Sequence, residues 1–127
     1  MFNTNINKEN KNSSMIETLI GDNCKIIGNI TGEGLVKIDG AVEGDINWLD
    51  DLIIGANCNC VGNITCKNAS IHGKIYGNVI CEQTLTIEQT GKISGDITVK
   101  KMIVKEGGFL EGKSTMIIEK SLKEILD

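Results

Sequence analysis

The sequence contains no proline and no arginine, and it has only one histidine among its 127 residues. All 13 basic residues are consequently lysines, and the net charge is −4. Nucleic-acid and phosphate sites favour the planar guanidinium fork of arginine. The missing arginine and the acidic balance therefore predict that nucleic acid is not a partner.

Aromatic residues make up only 3% of the chain, whereas glycine occurs 15 times. This balance is unusual for a helical protein and suits a tightly coiled β architecture with glycine at its corners. No stretch approaches the roughly 18 apolar residues of a membrane-spanning helix, and the N-terminus lacks the apolar core of a secretory signal. Five cysteines without such a signal predict reduced thiols and a cytoplasmic location.

A Gly-(Asn/Asp)-(Ile/Val) triplet recurs five times and is followed by a degraded sixth copy. The triplets begin at Gly28, Gly44, Gly62, Gly77 and Gly95, and the sixth copy is Gly112-Lys113-Ser114. The steps between the glycines are 16, 18, 15, 18 and 17 residues. Self-similarity at a short period indicates a solenoid, in which each repeat contacts mainly its neighbours.

Aligning the copies on their glycine produces apolar columns that alternate with polar positions, the pattern of β-strands. The first three columns are Ile20, Ile38, Ile54, Ile71, Ile87 and Val104; Ile26, Val42, Cys60, Ile75, Ile93 and Leu110; and Ile30, Ile46, Ile64, Val79, Ile97 and Ser114. A fourth column is Gly32, Trp48, Cys66, Cys81, Val99 and Met116. We expect these columns to point inward and the polar rows between them to face water.

The unequal steps are attributed to one corner, which is two residues shorter between Ile38 and Gly44 and between Ile71 and Gly77. Removing two residues keeps the inward and outward sides of a strand unchanged. A left-handed hexapeptide helix needs a stricter repeat, so unequal corners favour the right-handed form. We therefore predict an all-β fold, a single-stranded right-handed parallel β-helix of about six rungs.

This β-helix is expected to occupy residues 17–115. The Asn/Lys-rich residues 1–16 predict a disordered N-terminal tail. Residues 116–127 place apolar side chains at helical spacing and are expected to form a cap or a short helix.

The cysteines Cys58, Cys60, Cys66 and Cys81 do not have the Cys-x-x-Cys spacing of a metal site, and strand parity is expected to place them in different rows. Three of them stand in columns otherwise filled by apolar residues. Free cysteine packs as a small hydrophobe. We therefore expect a core role for these thiols, with no metal and no cofactor.

The single histidine, His72, is the basis of an alternative function. A catalytic histidine on a coiled β-helix is similar to the hexapeptide acyltransferases, which would make the chain a trimeric enzyme. No inserted loop and no second catalytic partner accompany His72. We therefore expect a surface histidine and no enzymatic activity.

The repeat unit itself is recognisable. It occurs as Ile38-Asp39-Gly40-Ala41-Val42-Glu43-Gly44-Asp45-Ile46 and again over residues 71–79. A core of about one hundred residues built from such units, with short flanks and no proline, resembles the bactofilins, which are bacterial polymer-forming cytoskeletal proteins. The resemblance covers about residues 17–115.

The resemblance implies a scaffold that assembles end to end into filaments without nucleotide. It also implies a peripheral position on the inner membrane, a role in cell shape or the cell wall, and cell-wall enzymes or other scaffold proteins as partners. In many relatives an N-terminal peptide that starts with Met-Phe attaches the filament to membrane. Met1 and Phe2 match that start, and Lys8 and Lys11 follow.

The ends of the coil are where polymerisation is expected. The last repeat carries Phe109 where other copies have lysine, alanine or asparagine, and Leu110 follows it. These two residues predict a stacking interface at one end; the alternative is that Phe109 packs beneath residues 115–127. At the other end, Met15, Ile16 and Leu19 form either a cap or a second contact.

Lateral contacts are predicted from three outward apolar residues. Ile27 and Val61 share a row and Tyr76 lies nearby, so they provide a surface for bundling. Like ends meeting would give a non-polar filament and unlike ends a polar one, and both remain open. A third possibility is a monomeric adaptor whose ends are capped by its own flanks.

Overall fold

A computed structural model describes residues 15–117, which form a coil of parallel strands with three faces. Face 1 contains β1 (Thr18–Ile20), β4 (Val36–Ile38), β7 (Asp51–Ile54), β10 (Asn68–Ile71) and the second halves of β12 (Val79–Ile87) and β14 (Ile97–Val104). Face 2 contains β2 (Lys25–Ile27), β5 (Ala41–Glu43), β8 (Asn59–Val61), β11 (Lys74–Tyr76), β13 (Lys92–Ser94) and β15 (Phe109–Glu111). Face 3 contains β3 (Ile30–Gly32), β6 (Ile46–Trp48), β9 (Ile64–Cys66), the first halves of β12 and β14, and β16 (Ser114–Met116).

Each rung is one turn of the coil and contributes one strand to each face. Face 2 is a separate six-stranded sheet, so the described residues make six rungs, which are numbered here from the N-terminal end. Faces 1 and 3 form one ten-stranded sheet because β12 and β14 continue through the corner between them. Every strand pairs in parallel with its counterpart in the next rung. The predicted parallel β-helix of about six rungs is confirmed, and its right-handed sense stays a prediction.

The corner between faces 1 and 2 has the two predicted lengths. Four residues link β7 to β8, whereas only Asp39 and Gly40 link β4 to β5. That difference does not account for the steps of 15 and 17 residues. The structure adds a second variable corner, between faces 3 and 1, where two residues separate Cys66 from Ala69 and three separate Cys81 from Leu85. The attribution to a single variable corner was therefore incomplete.

The predicted columns fill the core. Ile38, Ile54, Ile71 and Ile87 stack in register along face 1 and are completely buried. Among the described residues, every buried side chain is apolar, and no buried side-chain nitrogen or oxygen lacks a hydrogen-bond partner. The rod therefore has one continuous hydrophobic interior that runs along its axis.

Trp48 is the largest side chain in this interior, and it depends on a glycine in the rung before it. A Cβ atom at Gly32 would overlap the Trp48 indole ring, so only glycine leaves room for the ring. The indole Nε1 donates a hydrogen bond to the Gly34 carbonyl at 2.6 Å, which satisfies its polar edge. One position of the fourth column thus accommodates tryptophan because its neighbour is glycine.

The repeated triplet forms the corner between faces 2 and 3. Its glycines have positive φ angles, as at Gly44 (+152°) and Gly62 (+149°), which residues with a Cβ rarely adopt. The Asn or Asp that follows each glycine accepts a hydrogen bond from the backbone N–H of its counterpart in the next rung, at 2.9–3.0 Å. The donor and acceptor pairs are Asp45–Asn29, Asn63–Asp45, Asn78–Asn63, Asp96–Asn78 and Lys113–Asp96. This Asx ladder ends at Lys113, whose side chain has no acceptor atom.

We expect Gly62→Ala to lower the urea midpoint of unfolding, monitored by circular dichroism, by the equivalent of about 2 kcal/mol or more. The new Cβ would combine an unfavourable φ with overlap of the Gly44 carbonyl oxygen. Gly21→Ala is the matched control because nothing lies within 4 Å of its Cβ position. Equal midpoints for the two variants would contradict the corner account.

Candidate assembly surfaces

The C-terminal end of the rod exposes the hydrophobic core. Val104, Leu110 and Met116 occupy three inward columns in the sixth rung, and no further rung covers them among the described residues. Val104 is 45% exposed, whereas its neighbour Ile87 in the same column is completely buried. These three residues are named here the C-terminal end face. Sequence reasoning identified Leu110 but missed the other two, although both stood in the aligned columns.

Backbone groups are open at the same place. β15 is the terminal strand of its sheet, and β16 pairs only with β14 within the described part of the chain. Strand edges with open N–H and C=O groups are templates for another strand. The C-terminal end face therefore offers both apolar side chains and backbone hydrogen-bonding groups to a partner.

Phe109 projects sideways from the end rung instead of along the rod axis. It stands in the outward row of face 2, directly opposite Lys92 in the neighbouring strand, and it is 48% exposed. The Lys92 ammonium lies 5.4 Å from the ring centroid, within the range of a cation–π contact. Because Phe109 belongs to the last rung, it lies at the rim of the C-terminal end face.

The N-terminal end is built in the same way but is less open. Ile20, Ile26 and Ile30 begin three inward columns, and they are half-buried against the core. Met15 and Ile16 are exposed just before β1, whose Leu19 points outward from face 1 opposite Lys37. The backbone N–H groups of Glu17 and Thr18 both donate to the Leu35 carbonyl, which fixes the entry of the chain into the first rung.

The three predicted lateral residues lie in one outward row of face 2. Val61 and Tyr76 are direct neighbours in register, so Tyr76 belongs to the row itself and not merely near it. Ile27 is two rungs away beyond Glu43 and is 76% exposed. The structure thus brings Val61 and Tyr76 into one patch and leaves Ile27 apart.

His72 lies in the corner between faces 1 and 2, beside Ser70 and Glu88. The Ser70 hydroxyl donates to Glu88 Oε2 at 3.1 Å, and its oxygen lies 3.4 Å from His72 Nε2. Burial opposes ionisation of Glu88, but hydrogen bonds from Lys105 and Ser70 outweigh it and hold the carboxyl pKa below its usual value. The serine proton is thus directed to a carboxylate in an ion pair with Lys105, not to the histidine, which is the wrong arrangement for nucleophilic catalysis.

An open groove of about 710 Å³ runs along face 1 between rungs 1 and 5. Asp51, Asn68, Ser70 and Thr84 contribute to its walls, and His72 does not. Within residues 15–117 no group of three or more histidine, cysteine or acidic residues is arranged to hold a metal ion. The same range contains no helix with the length and apolarity needed to cross a bilayer.

The cysteines occupy the core, with one correction to their arrangement. Cys58, Cys60, Cys66 and Cys81 are buried, and Cys24 is exposed. Cys66 and Cys81 share a row, pair in register between β9 and β12, and have their sulfur atoms 3.6 Å apart. The expectation of four different rows was therefore wrong, because these two residues stand at the same position of successive triplets.

Residues 15–117 form a continuous parallel β-coil without a metal cluster in that range, an architecture typical of structural repeat proteins. A protein-family model described as "Bactofilin: Polymer-forming cytoskeletal" matches residues 18–115. The chain belongs to the bactofilin family, and it is accordingly a cytoskeletal structural protein and not an enzyme.

Two curated relatives come from Myxococcus xanthus. The chain is 28% identical to bactofilin BacP over 104 residues and 25% identical to bactofilin BacO over 108 residues. These matches include 82% and 85% of this chain, but they span 43% of BacP and 86% of BacO. The chain thus matches less than half of BacP and most of BacO.

Two solved structures share the fold. The bactofilin BacA structure from solid-state NMR superposes with a TM-score of 0.71 at 28% identity, covering 78% of this chain and 94% of BacA. A cryo-EM reconstruction of Thermus thermophilus bactofilin double helical filaments gives a TM-score of 0.72 at 23% identity, covering 79% of this chain and 99% of the other. The β-helix is therefore common to these proteins.

The buried thiols generate a prediction about reactivity. Burial, with smaller effects from nearby charges, raises the pKa of Cys58 to about 12 and that of Cys60 to about 11. The hydrogen bond to Cys81 and burial raise the pKa of the Cys66 thiol far above its usual range. Since thiolate is the reactive form, these groups stay protonated and unreactive at pH 8.

We therefore expect a thiol reagent at pH 8 to label the native protein at Cys24 alone and the denatured protein at all five cysteines. Peptide mass spectrometry would identify the labelled positions. Cys24→Ser should abolish native labelling. Rapid modification of Cys58 or Cys60 in the folded protein would contradict the buried assignment.

Proposed function

We propose that this chain polymerises end to end, without nucleotide, into cytoskeletal filaments at the inner face of the bacterial cell membrane. The observation that carries the proposal is the C-terminal end face, where, within residues 15–117, Val104, Leu110 and Met116 expose core columns beside strand edges that pair with no further strand. Stacking a second rod there would continue both the hydrophobic interior and the backbone ladder. The double helical filaments formed by the Thermus thermophilus bactofilin support the proposal that this chain also forms filaments.

The favourable free energy of such a contact comes from a few residues. Burying the exposed remainder of Val104 or Met116 is worth about 1 kcal/mol each. The backbone groups on three faces add hydrogen bonds, each with a net contribution of about 1 kcal/mol. Phe109 adds its half-exposed ring at the rim. The contact needs no bound nucleotide because both partners already have the geometry of consecutive rungs.

Charge at the C-terminal end face is expected to block assembly. Val104→Arg should leave the circular dichroism spectrum unchanged but abolish filaments, because the arginine would be buried in the junction without a partner. Phe109→Arg should also reduce filaments without unfolding the protein, because it would place a second cation opposite Lys92 in the last rung. Sedimentation and negative-stain electron microscopy would measure the loss.

Tyr76→Arg provides the control, since Tyr76 is exposed on face 2 in the middle of the rod, far from either end. This variant should retain filaments. Filaments of normal length from both end variants would show that the junction lies elsewhere, and a folded monomer in the wild type would exclude polymerisation.

We also propose that Met1 and Phe2 attach the filament to membrane, although both lie outside the described residues. A single short apolar anchor binds a bilayer weakly, and Lys8 and Lys11 add modest electrostatic attraction. A filament multiplies this anchor by the number of its subunits, so avidity makes the attachment stable. Filaments held there would organise cell-shape or cell-wall machinery, with cell-wall enzymes or other scaffold proteins as partners.

Deleting residues 1–8 is therefore expected to spare polymerisation and to abolish most liposome binding. Flotation of filaments with liposomes would measure binding, and sedimentation without liposomes would verify assembly. Replacing Phe2 alone with serine should weaken flotation in the same direction. Unchanged flotation of the deletion variant would rule out the N-terminal anchor.

A further inference from the structure

Face 2 carries two outward rows of side chains along its six strands. One row, named here the basic row, is Lys25, Ala41, Asn59, Lys74, Lys92 and Phe109. The other, named the apolar row, is Ile27, Glu43, Val61, Tyr76, Ser94 and Glu111. The middle outward row of face 3 is instead largely threonine and asparagine. Face 2 therefore combines exposed apolar side chains with charges of both signs.

The central residues of the apolar row are complementary for two rods that run in opposite directions. A twofold axis perpendicular to the rods places rung 3 opposite rung 4, rung 2 opposite rung 5 and rung 1 opposite rung 6. Val61 of one rod then faces Tyr76 of a second copy, and the reverse contact follows by symmetry. The two most central residues of the apolar row would thus bury each other.

The charges agree with the same arrangement. In the antiparallel pair Glu43 lies across from rung 5 of the second copy, where Lys92 stands in the adjacent row. Lys25 lies across from rung 6, which contributes Glu111, and beside Phe109, whose ring is a suitable partner for an ammonium group. A parallel pair would leave Glu43 and Lys92 three rungs, or about 14 Å, apart along the axis.

Glu43, Lys25 and Lys92 can leave their contacts within one rod and pair with the second rod instead. Within one rod, Glu43 pairs with Lys25 at 3.0 Å, but both side chains are about half exposed. Such a surface ion pair contributes little free energy, so giving it up costs little. Among the described residues the Lys92 ammonium forms no ion pair and lies over the Phe109 ring, so it can turn towards a carboxylate.

The area of face 2 determines whether single subunits or only whole filaments can associate through it. Six strands at about 4.8 Å and three residues in width give an area of about 300 Å² per partner. That is well below the roughly 800 Å² per partner of a stable protein–protein interface. Two isolated subunits should therefore not associate, whereas two filaments add one such contact per subunit and bind by avidity.

We propose that face 2 is the surface through which two filaments of this chain associate side by side, with the contacting rods antiparallel. The proposal rests on the filament proposed above. Its central contact is between Val61 and Tyr76, and the flanking ion pairs between Glu43 and Lys92 set the register. Because those ion pairs are exposed at the edges, the association is sensitive to salt.

The test separates filaments from bundles by centrifugation at two speeds, with negative-stain microscopy of both pellets. High-speed pelleting measures filaments and low-speed pelleting measures bundles. For the wild type we expect a low-speed pellet at about 50 mM salt that falls several-fold at about 0.5 M, while the high-speed pellet persists. Lys92→Glu should reduce the low-speed pellet at least about fivefold, because like charges then meet at every subunit.

The compensating variant makes the test specific. Adding Glu43→Lys to Lys92→Glu should restore bundles, since the pair is only reversed. The matched control is Lys67→Glu, an exposed reversal at the corner between faces 3 and 1, which should bundle like the wild type. Tyr76→Ser should lose bundles and keep filaments.

Bundling of Lys92→Glu at wild-type level, or failure of the double variant to recover, would overturn the antiparallel contact. High-speed pelleting without any low-speed pellet in the wild type would overturn lateral pairing but leave the filament intact. Absence of the high-speed pellet would overturn the filament and this proposal with it.

Discussion

The structure depends on one constraint: every strand must pair in parallel and in register with the strands of the rungs before and after it. The Gly-Asx corner makes this possible, because positive φ at glycine turns the chain while the following side chain bonds to the next rung. The corner between faces 2 and 3 keeps the same length in all six rungs. Length variation is confined to the other two corners, where it does not alter which side chains point inward.

This constraint also explains why we propose the ends of the rod as the assembly surfaces. Each inner rung is covered on both sides by a neighbouring rung. Within the described residues, the last rung leaves its core columns and backbone groups without a neighbour on one side. Val104 shows this directly, since it is 45% exposed and no seventh rung covers it within residues 15–117. The same geometry that buries Ile87 beneath it would bury Val104 under a second subunit.

The sequence was sufficient to predict the coil, its columns and its approximate number of rungs, because three columns keep a constant offset from the glycine and most of the residues in the columns are apolar. It was not sufficient to predict which residues become neighbours across rungs of unequal length. The one-residue difference at the corner between faces 3 and 1 was missed for that reason. Cys66 and Cys81 were assigned to separate rows although the aligned columns already placed them at the same position of successive triplets.

The sequence also did not show how the side chains of the last rung are placed relative to the end of the rod. Phe109 was distinguished as the only aromatic residue at its repeat position, but only the pairing of β13 with β15 places it against Lys92 in the last rung. Val104 and Met116 were recognised as inward residues and not as the end face, because the aligned columns do not show where the last rung is left uncovered. The residues before Met15 and after Ile117, including Met1, Phe2 and the expected C-terminal cap or helix, lie outside the described residues.

The central claim is that rungs continue without interruption from one subunit into the next. Cryo-electron microscopy of assembled protein tests it most directly through the axial rise per subunit. Six rungs at about 4.8 Å predict a rise of roughly 29 Å, with strand density at constant spacing across each junction. A rise several ångströms longer, with a gap between subunits, or a population of discrete trimers or monomers in place of filaments, would contradict the account.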